Sequence, residues 1–184
     1  MKAIPTTYQG VNFRSRLEAK WAAFFDAARW RWGYEPVDFN GWIPDFALYG
    51  ARTVYVEVKP VTEFPEDVAQ KIDRSGCEDE VLIVGQTVFQ ENAMCSESCF
   101  GWLRETGMAS SLGERWNCWD LAVFGIWEGR AGFCHVSQSY VDRMSGLYEG
   151  NMNDNADRLR EAWTSATNLV QWQPAKRGTH KWYQ

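Results

Sequence analysis

The chain has 184 residues, 45% hydrophobic and 23% charged, with 19 Lys and Arg against 24 Asp and Glu for a formal net charge of −5. That length suits one domain over 1–184 with a sizeable core; no apolar run approaches the roughly eighteen residues of a membrane span, and the first ten residues hold no apolar secretory segment, so a cytoplasmic protein is expected. An acidic sum argues against nucleic-acid binding, since phosphate contacts dominate affinity and favour basic domains, but the charge is segregated: +2 over 1–60, −11 over 61–157 and +4 over 158–184.

Asn12 to Ala28 reads as an amphipathic helix, with Leu17, Trp21, Phe24 and Ala28 at the spacing of an apolar stripe. Glu18 shares a flank with Trp21 and Phe25, which turns its carboxylate toward the packed side. Two readings of it stay open. Ser15-x-x-Glu18 has the spacing of a capping box, in which Glu18 serves backbone N–H groups at the helix start; with Asn12 as N-cap, Glu18 lies a full turn inside. Arg14, Arg16, Lys20, Arg29 and Arg31 cluster along this segment.

Residues 43–60 carry Pro44-Asp45, then Glu57 twelve positions on, then Lys59. Val54, Val56 and Val58 alternate with Tyr55, Glu57 and Lys59, the period of a half-buried strand with one apolar and one charged face. With Asp45 on the neighbouring strand, two carboxylates and an ammonium converge, a donor set suited to a divalent cation held beside a scissile phosphate. Taken singly, Pro-Asp is a turn signal and Glu-x-Lys a solvated ion pair; their joint order around the turn at Gly50 is far less common.

Pro65 to Arg74 reads as a helix and Glu80 to Gly85 as a buried strand, which closes a β-α-β unit. Residues 86–120 look irregular, a long insertion rich in Gly and Ser. Leu121 to Trp127 and Ala131 to Val136 form an edge hairpin around Glu128-Gly129-Arg130. Asn153 to Trp172 reads as a C-terminal helix, and 173–184 is a basic, aromatic tail whose composition fits single-stranded or distorted nucleic acid as well as it fits a frayed terminus. Cysteines at 77, 95, 99, 118 and 134 are odd in number and read as reduced thiols; the Cys95-x-x-x-Cys99 pair would need further ligands from Cys77, Cys118, Cys134 or His135 to hold zinc. Most of the 11 tryptophans belong in the core, while Trp102, Trp116, Trp119 and Trp182 are candidate stacking platforms. No Gly-rich phosphate loop is present, so no nucleotide cofactor is expected.

The runs FRSRLEAKWAAFFDA, YEP, WIPDFAL and VYVEVKP together resemble the PD-(D/E)XK, or restriction-endonuclease-like, nuclease superfamily, and in the helix glutamate and compact spacing the small Holliday-junction resolvases of archaeal and phage type. The likeness covers about residues 8–85. It implies an α/β fold, a central mixed sheet flanked by helices with a glutamate on the N-terminal helix. It further implies Glu18, Asp45 and Glu57, with the Val58 carbonyl, as ligands of one or two Mg²⁺ or Mn²⁺ ions, and Lys59 as the catalytic lysine. Arg14, Arg16 and Lys20 are candidate substrate contacts, as are Gln70 and Lys71 on the next helix, which also fit a solvated helix face. The Gln-x-x-x-Tyr motif of exonuclease-like members is absent, since Arg74 stands four residues after Gln70. The expectation is a metal-dependent DNA endonuclease, structure-selective or tied to recombination or repair, of phage or bacterial origin, with DNA as partner and pairing into a homodimer left open. The alternatives are a catalytically silent module binding nucleic acid or protein, and an RNA-processing nuclease.

Overall fold

The structure is a computed structural model that describes residues 3–88, 98–109, 115–136, 141–148 and 152–171. Cys95, Trp182 and the tail 173–184 lie outside the described residues, as does the side chain of Trp116. The chain opens with a hairpin, β1 (Thr6–Tyr8) and β2 (Val11–Phe13). Its turn holds Gln9 and Gly10 at φ 45° and 81°, the left-handed pair whose twist matches the flanking strands. Asn12, expected in a helix, is therefore strand: its side chain accepts from Thr7 Oγ1 across the hairpin at 2.8 Å. Helix α1 (Arg16–Ala27) begins only at Ser15, whose hydroxyl accepts from the Glu18 N–H.

Eight further strands and two helices follow from Trp32 to Leu169. They are β3 (Trp32–Tyr34), β4 (Phe46–Tyr49), β5 (Thr53–Val58), α2 (Glu66–Arg74), β6 (Glu80–Val84), β7 (Cys99–Ala109), β8 (Arg115–Trp127), β9 (Arg130–His135), β10 (Met152–Asp154) and α3 (Ala156–Leu169). The strands β3 to β10 form one eight-stranded sheet in the order β10-β8-β7-β6-β5-β4-β3, with β9 also paired to β8. Ala122 and Val123 pair with both β7 and β9, so those two strands occupy opposite edges of β8. All neighbours in this sheet are antiparallel except β5 with β6, which are joined through α2 as a crossover requires.

Two apolar layers sandwich the sheet. On one face α1 and α3 pack Trp21, Phe24, Phe25, Leu159 and Ala166 against Val54, Val56, Leu82 and Val84. On the other, Ala69 and Ile72 of α2 pack with Trp42, Val81, Ile83 and Trp102. The strand alternation thus fixes which way β5 points each residue: its valines toward α1, Tyr55 and Glu57 toward α2. Trp21 is fully buried and donates its Nε1–H to the Gly85 carbonyl at 2.9 Å, which satisfies the ring's one polar atom.

The expectation of irregular chain over 86–120 is corrected where the chain is described: β7 and β8 are the longest strands and pair with each other. Two register breaks in that pairing, between Cys99 and Gly101 and between Glu105 and Met108, interrupt the two-residue alternation that would have marked a strand. Gly101 is no loop signal either, since a Cβ there would lie 2.5 Å from the Ile83 carbonyl oxygen. The hairpin of β8 and β9 is as expected, turning at Glu128 and Gly129 (φ 48° and 80°). The C-terminal helix starts three residues later than expected, at Ala156 with Asn155 as N-cap, because residues 152–154 pair with β8 as β10.

Candidate active site

The site is assembled where β4 begins and β5 ends. The register Phe46↔Val56, continued by one residue, sets Asp45 directly opposite Glu57, on the α2 face of the sheet. Facing residues of an antiparallel pair stand ~5 Å apart between Cβ atoms. Both are buried, each 7% exposed. The Val58 N–H donates to Asp45 Oδ2 at 2.7 Å, which ties the acid to the strand carrying the other one. Lys59, two residues beyond Glu57, donates from Nζ to Glu57 Oε1. Glu57 Oε2 accepts from the Trp42 indole N–H at 2.9 Å.

Two carboxylates held together away from water cannot both ionise freely. The Asp45 carboxyl is pushed up to about 7, first by burial and then by the negative charge of Glu57, with Glu18 adding to it; the Val58 N–H and the Lys59 ammonium pull the other way. Asp45 is thus the point at which Glu18, Glu57 and Lys59 all act.

Glu18 reaches this point from the first turn of α1, and its oxygens are already engaged. Oε1 accepts from Ser15 Oγ at 2.7 Å, and Oε2 accepts from Tyr34 OH at 2.7 Å and from the Arg14 N–H at 3.2 Å. Of the two readings of this glutamate, the capping one describes its contacts: Ser15 and Glu18 serve each other and the free N–H groups at the helix start. Burial, with the bond to Glu18 after it, pushes the Tyr34 phenol up to about 12. Arg14 spans the rim, with its guanidinium on Glu35 and 3.5 Å from Asp45 Oδ1. Arg16 lies beside it at the helix start, half-buried, and its Nε has no hydrogen-bond partner among the described residues.

The other substrate-binding candidates fall elsewhere. Lys20 is directed at α3, where its ammonium lies 3.7 Å from the centre of the Trp163 ring, and burial lowers its pKa to about 8. Its role is packing between helices. Gln70 and Lys71 are exposed on α2. Arg29 and Arg31 stand at the far end of α1, eleven or more residues and so roughly 16 Å of helix from Glu18. Two residues of the site carry no assignment from the sequence. Tyr34 and Trp42 are legible there only as an aromatic in the Tyr34-Glu35-Pro36 run and as a core tryptophan; what makes them part of the site is that each spends its one side-chain donor on a carboxylate.

Among the described residues no three Asp, Glu, His or Cys side chains form a group that could hold a metal ion. Each carboxylate is instead occupied by protein donors: Lys59 and Trp42 on Glu57, Val58 and Arg14 on Asp45, Ser15 and Tyr34 on Glu18. The thiols of Cys77, Cys99, Cys118 and Cys134 are free of disulfides. No helix among the described residues is long and apolar enough to cross a membrane. No family model matches the sequence, and no curated protein or solved structure matches it.

Proposed function

We propose that the chain is a Mg²⁺- or Mn²⁺-dependent deoxyribonuclease of the restriction-endonuclease-like kind, an endonuclease acting on DNA. The observation that carries this reading is the buried pair of Asp45 and Glu57 on facing strand positions with Lys59 on Glu57. Burying two like charges is unfavourable, and a fold keeps such an arrangement where a cation or a proton is meant to answer it. The fit to a hard divalent ion rests on the all-oxygen donor set and on the upward shift at Asp45, which comes first from burial and then from the neighbouring charge of Glu57. Asp45 and Glu57, with the Val58 carbonyl, would hold the ion, and Glu18 would join them by giving up Tyr34 or Ser15. The mixed sheet with helices on both faces and a glutamate on its first helix is in keeping with the resemblance.

When bound, the ion would make an attacking water more acidic and neutralise charge building on the phosphate. The chain's own residues do the rest. Lys59 is partly exposed, 34% by side chain; leaving Glu57, its ammonium would orient the attacking water or meet the developing negative charge. Asp45 and Glu57, on two paired strands, would set where the ion stands relative to the phosphate. Arg14, exposed at the rim, would pair with a phosphate oxygen. The water oxygen bonds to phosphorus, one phosphorus–oxygen ester bond breaks, and the leaving oxygen takes up a proton.

A second reading is favoured by a specific contact: Lys59 and Trp42 each occupy one oxygen of Glu57, as they would in a silent module that retains the fold to bind nucleic acid or protein. One assay separates the two. Purified protein is incubated with plasmid, linear, branched and single-stranded DNA and with RNA, each with Mg²⁺, Mn²⁺ or EDTA. Metal-dependent cutting of DNA that disappears in EDTA and in Asp45→Asn supports the nuclease; cutting of RNA alone makes it an RNA-processing enzyme; retention of DNA without cutting in any metal removes catalysis. Light scattering of the protein with and without branched DNA tests for a pair of copies acting together.

A further inference from the structure

A cleft of about 610 Å³ lies at the other end of the molecule, between the C-terminal end of α1, the β4–β5 turn, the tip of the β8–β9 hairpin and the start of α3. Four arginines line it: Arg29, Arg31, Arg130 and Arg158. No Asp or Glu does. In a chain with more acidic than basic residues, such a concentration of one sign is unusual. Among the described residues none of the four pairs with a carboxylate; Arg31 donates to the Tyr49 carbonyl at 3.4 Å, and the others make no side-chain hydrogen bond. Arginines elsewhere in the fold are paired with carboxylates: Arg52 and Arg143 on Glu80, Arg104 on Asp73.

The backbone holds the cleft's arginines in place. Arg29 has φ +60°, a left-handed conformation normally left to glycine, and occupies the residue after the α1 C-cap. There the Arg29 N–H donates to the Asp26 carbonyl and the Trp30 N–H to the Phe25 carbonyl, 2.9 and 2.8 Å, the bond pattern of a Schellman ending. An arginine where glycine would fold more easily places a cation at the cleft mouth at a cost to the fold. Across from it, Gly50 lets the β4–β5 turn touch the segment after β9, since a Cβ there would lie 2.5 Å from the Arg143 carbonyl oxygen. Arg130 follows the two-residue hairpin turn directly, and Arg158 sits in the first turn of α3, its N–H capped by Asn155 Oδ1.

We propose that this cleft binds the phosphate backbone of a nucleic-acid strand, as a second anchor for the substrate of the candidate active site. Guanidinium groups recognise phosphate oxygens as bidentate donors, and four of them facing one cavity without a carboxylate partner form a track for successive phosphates. The separation is informative. With α1 alone putting roughly 16 Å between Glu18 and Arg29, and one strand of B-form DNA advancing 3.4 Å per phosphate, the anchor grips the backbone about five phosphates from the bond cut, or a different arm of a branched molecule. The inference rests on the nuclease reading only for the purpose of the anchor; binding at the cleft stands independently of catalysis.

The test is fluorescence anisotropy with a fluorescein-labelled 20-nucleotide DNA, single-stranded and as duplex, in EDTA so that no cutting occurs, over a series of salt concentrations. Arg130→Ala/Arg158→Ala is compared with the wild type, with circular dichroism as the check on folding and Arg130→Lys/Arg158→Lys as the conservative variant. Affinity is expected to fall by about tenfold or more, the salt slope to drop by about 0.7 for each single-strand phosphate no longer neutralised, and the lysine variant to recover most of the binding. Unchanged affinity and slope in the folded alanine variant overturn the proposal. So does displacement of the DNA by inorganic phosphate or AMP at equal concentration, which would make this a site for a small phosphorylated ligand. If the alanine variant loses affinity while the wild type cuts nothing in Mg²⁺, the nuclease reading fails and the cleft stands.

Discussion

Asp45→Asn should make the protein more stable at pH 8 while abolishing cleavage, and the size of the gain follows from the burial of that carboxyl. Its pKa stands at about 7 against an ordinary 3.8, roughly three units at about 1.4 kcal/mol each, so the folded protein carries about 4 kcal/mol of unfavourable charge once the acid is ionised. The bond from the Val58 N–H and the attraction of Lys59 are already contained in that net shift, and the neutral amide keeps an acceptor for the Val58 N–H. The gain is therefore up to about 4 kcal/mol, or a Tm higher by up to about 8–16 °C for a domain of this size. The sign depends on pH. The folded state binds the proton more tightly than the unfolded one, so wild-type stability falls as pH rises from 3.8 toward 7, with the full penalty above 7 and none below 3.8. Thermal unfolding of both proteins from pH 4 to pH 8 should therefore show the variant's advantage growing with pH. Mg²⁺ at pH 8 should raise the Tm of the wild type and leave the variant unmoved, because only the wild type offers the charge to the ion. A variant less stable than the wild type at pH 8, or a difference that does not change with pH, would refute the account of Asp45 as a strained acid.

Lys59→Ala should lose Mg²⁺-dependent cutting of plasmid by at least a hundredfold and also leave the buried Glu57 without its cation; thermal unfolding should show a loss of a few kcal/mol, which Lys59→Arg, keeping a charge there, recovers without restoring full activity. Lys20→Met should leave cleavage within about twofold of wild type, since Lys20 lies over Trp163, and hold or raise the Tm because a half-buried ammonium is replaced by an apolar chain of similar length. Arg29→Gly should raise stability by about 1 kcal/mol in chemical denaturation, as glycine adopts the left-handed conformation without penalty, and weaken DNA binding in the same protein. Trp21→Ala should cost about 3–5 kcal/mol, read as a lower urea midpoint, since a fully buried ring with a satisfied N–H is removed.

The sheet centre is open to reading because its physics is local. Val54, Val56 and Val58 alternate with polar neighbours, Pro65 and the acids after it start a helix, and Glu128-Gly129 makes a hairpin turn; each signal spans a few residues and the structure places all three as expected. The chain from 99 to 120 is not legible for the opposite reason. Its strands pair over more than ten residues, but the bulges at Cys99/Gly101 and Glu105/Met108 shift the phase, so no window of the sequence keeps a constant period. The start of α1 turns on a competition between two capping residues, Asn12 and Ser15. Thr7 decides it from across the hairpin by taking the Asn12 side chain, a contact to which the sequence of the helix itself holds no clue.

The same distinction separates the two charged regions of the molecule. Asp45, Glu57 and Lys59 can be grouped from spacing because a hairpin connection of adjacent strands brings positions equidistant from the turn into register, so the pairing of Asp45 with Glu57 is a consequence of chain arithmetic around Gly50. Arg29, Arg31, Arg130 and Arg158 come from three separate regions of the chain and meet only through tertiary packing; no spacing relates them, and along the sequence Arg29 and Arg31 group with Arg14 and Arg16. Helical rise corrects that grouping. Residues a dozen apart on α1 sit at its two ends, so one arginine-rich segment supplies a rim for the carboxylates at its start and a cleft at its finish. Under the proposed function, arginines at the two ends of α1 would hold one strand at two points about a helix length apart, rather than a small ligand at one.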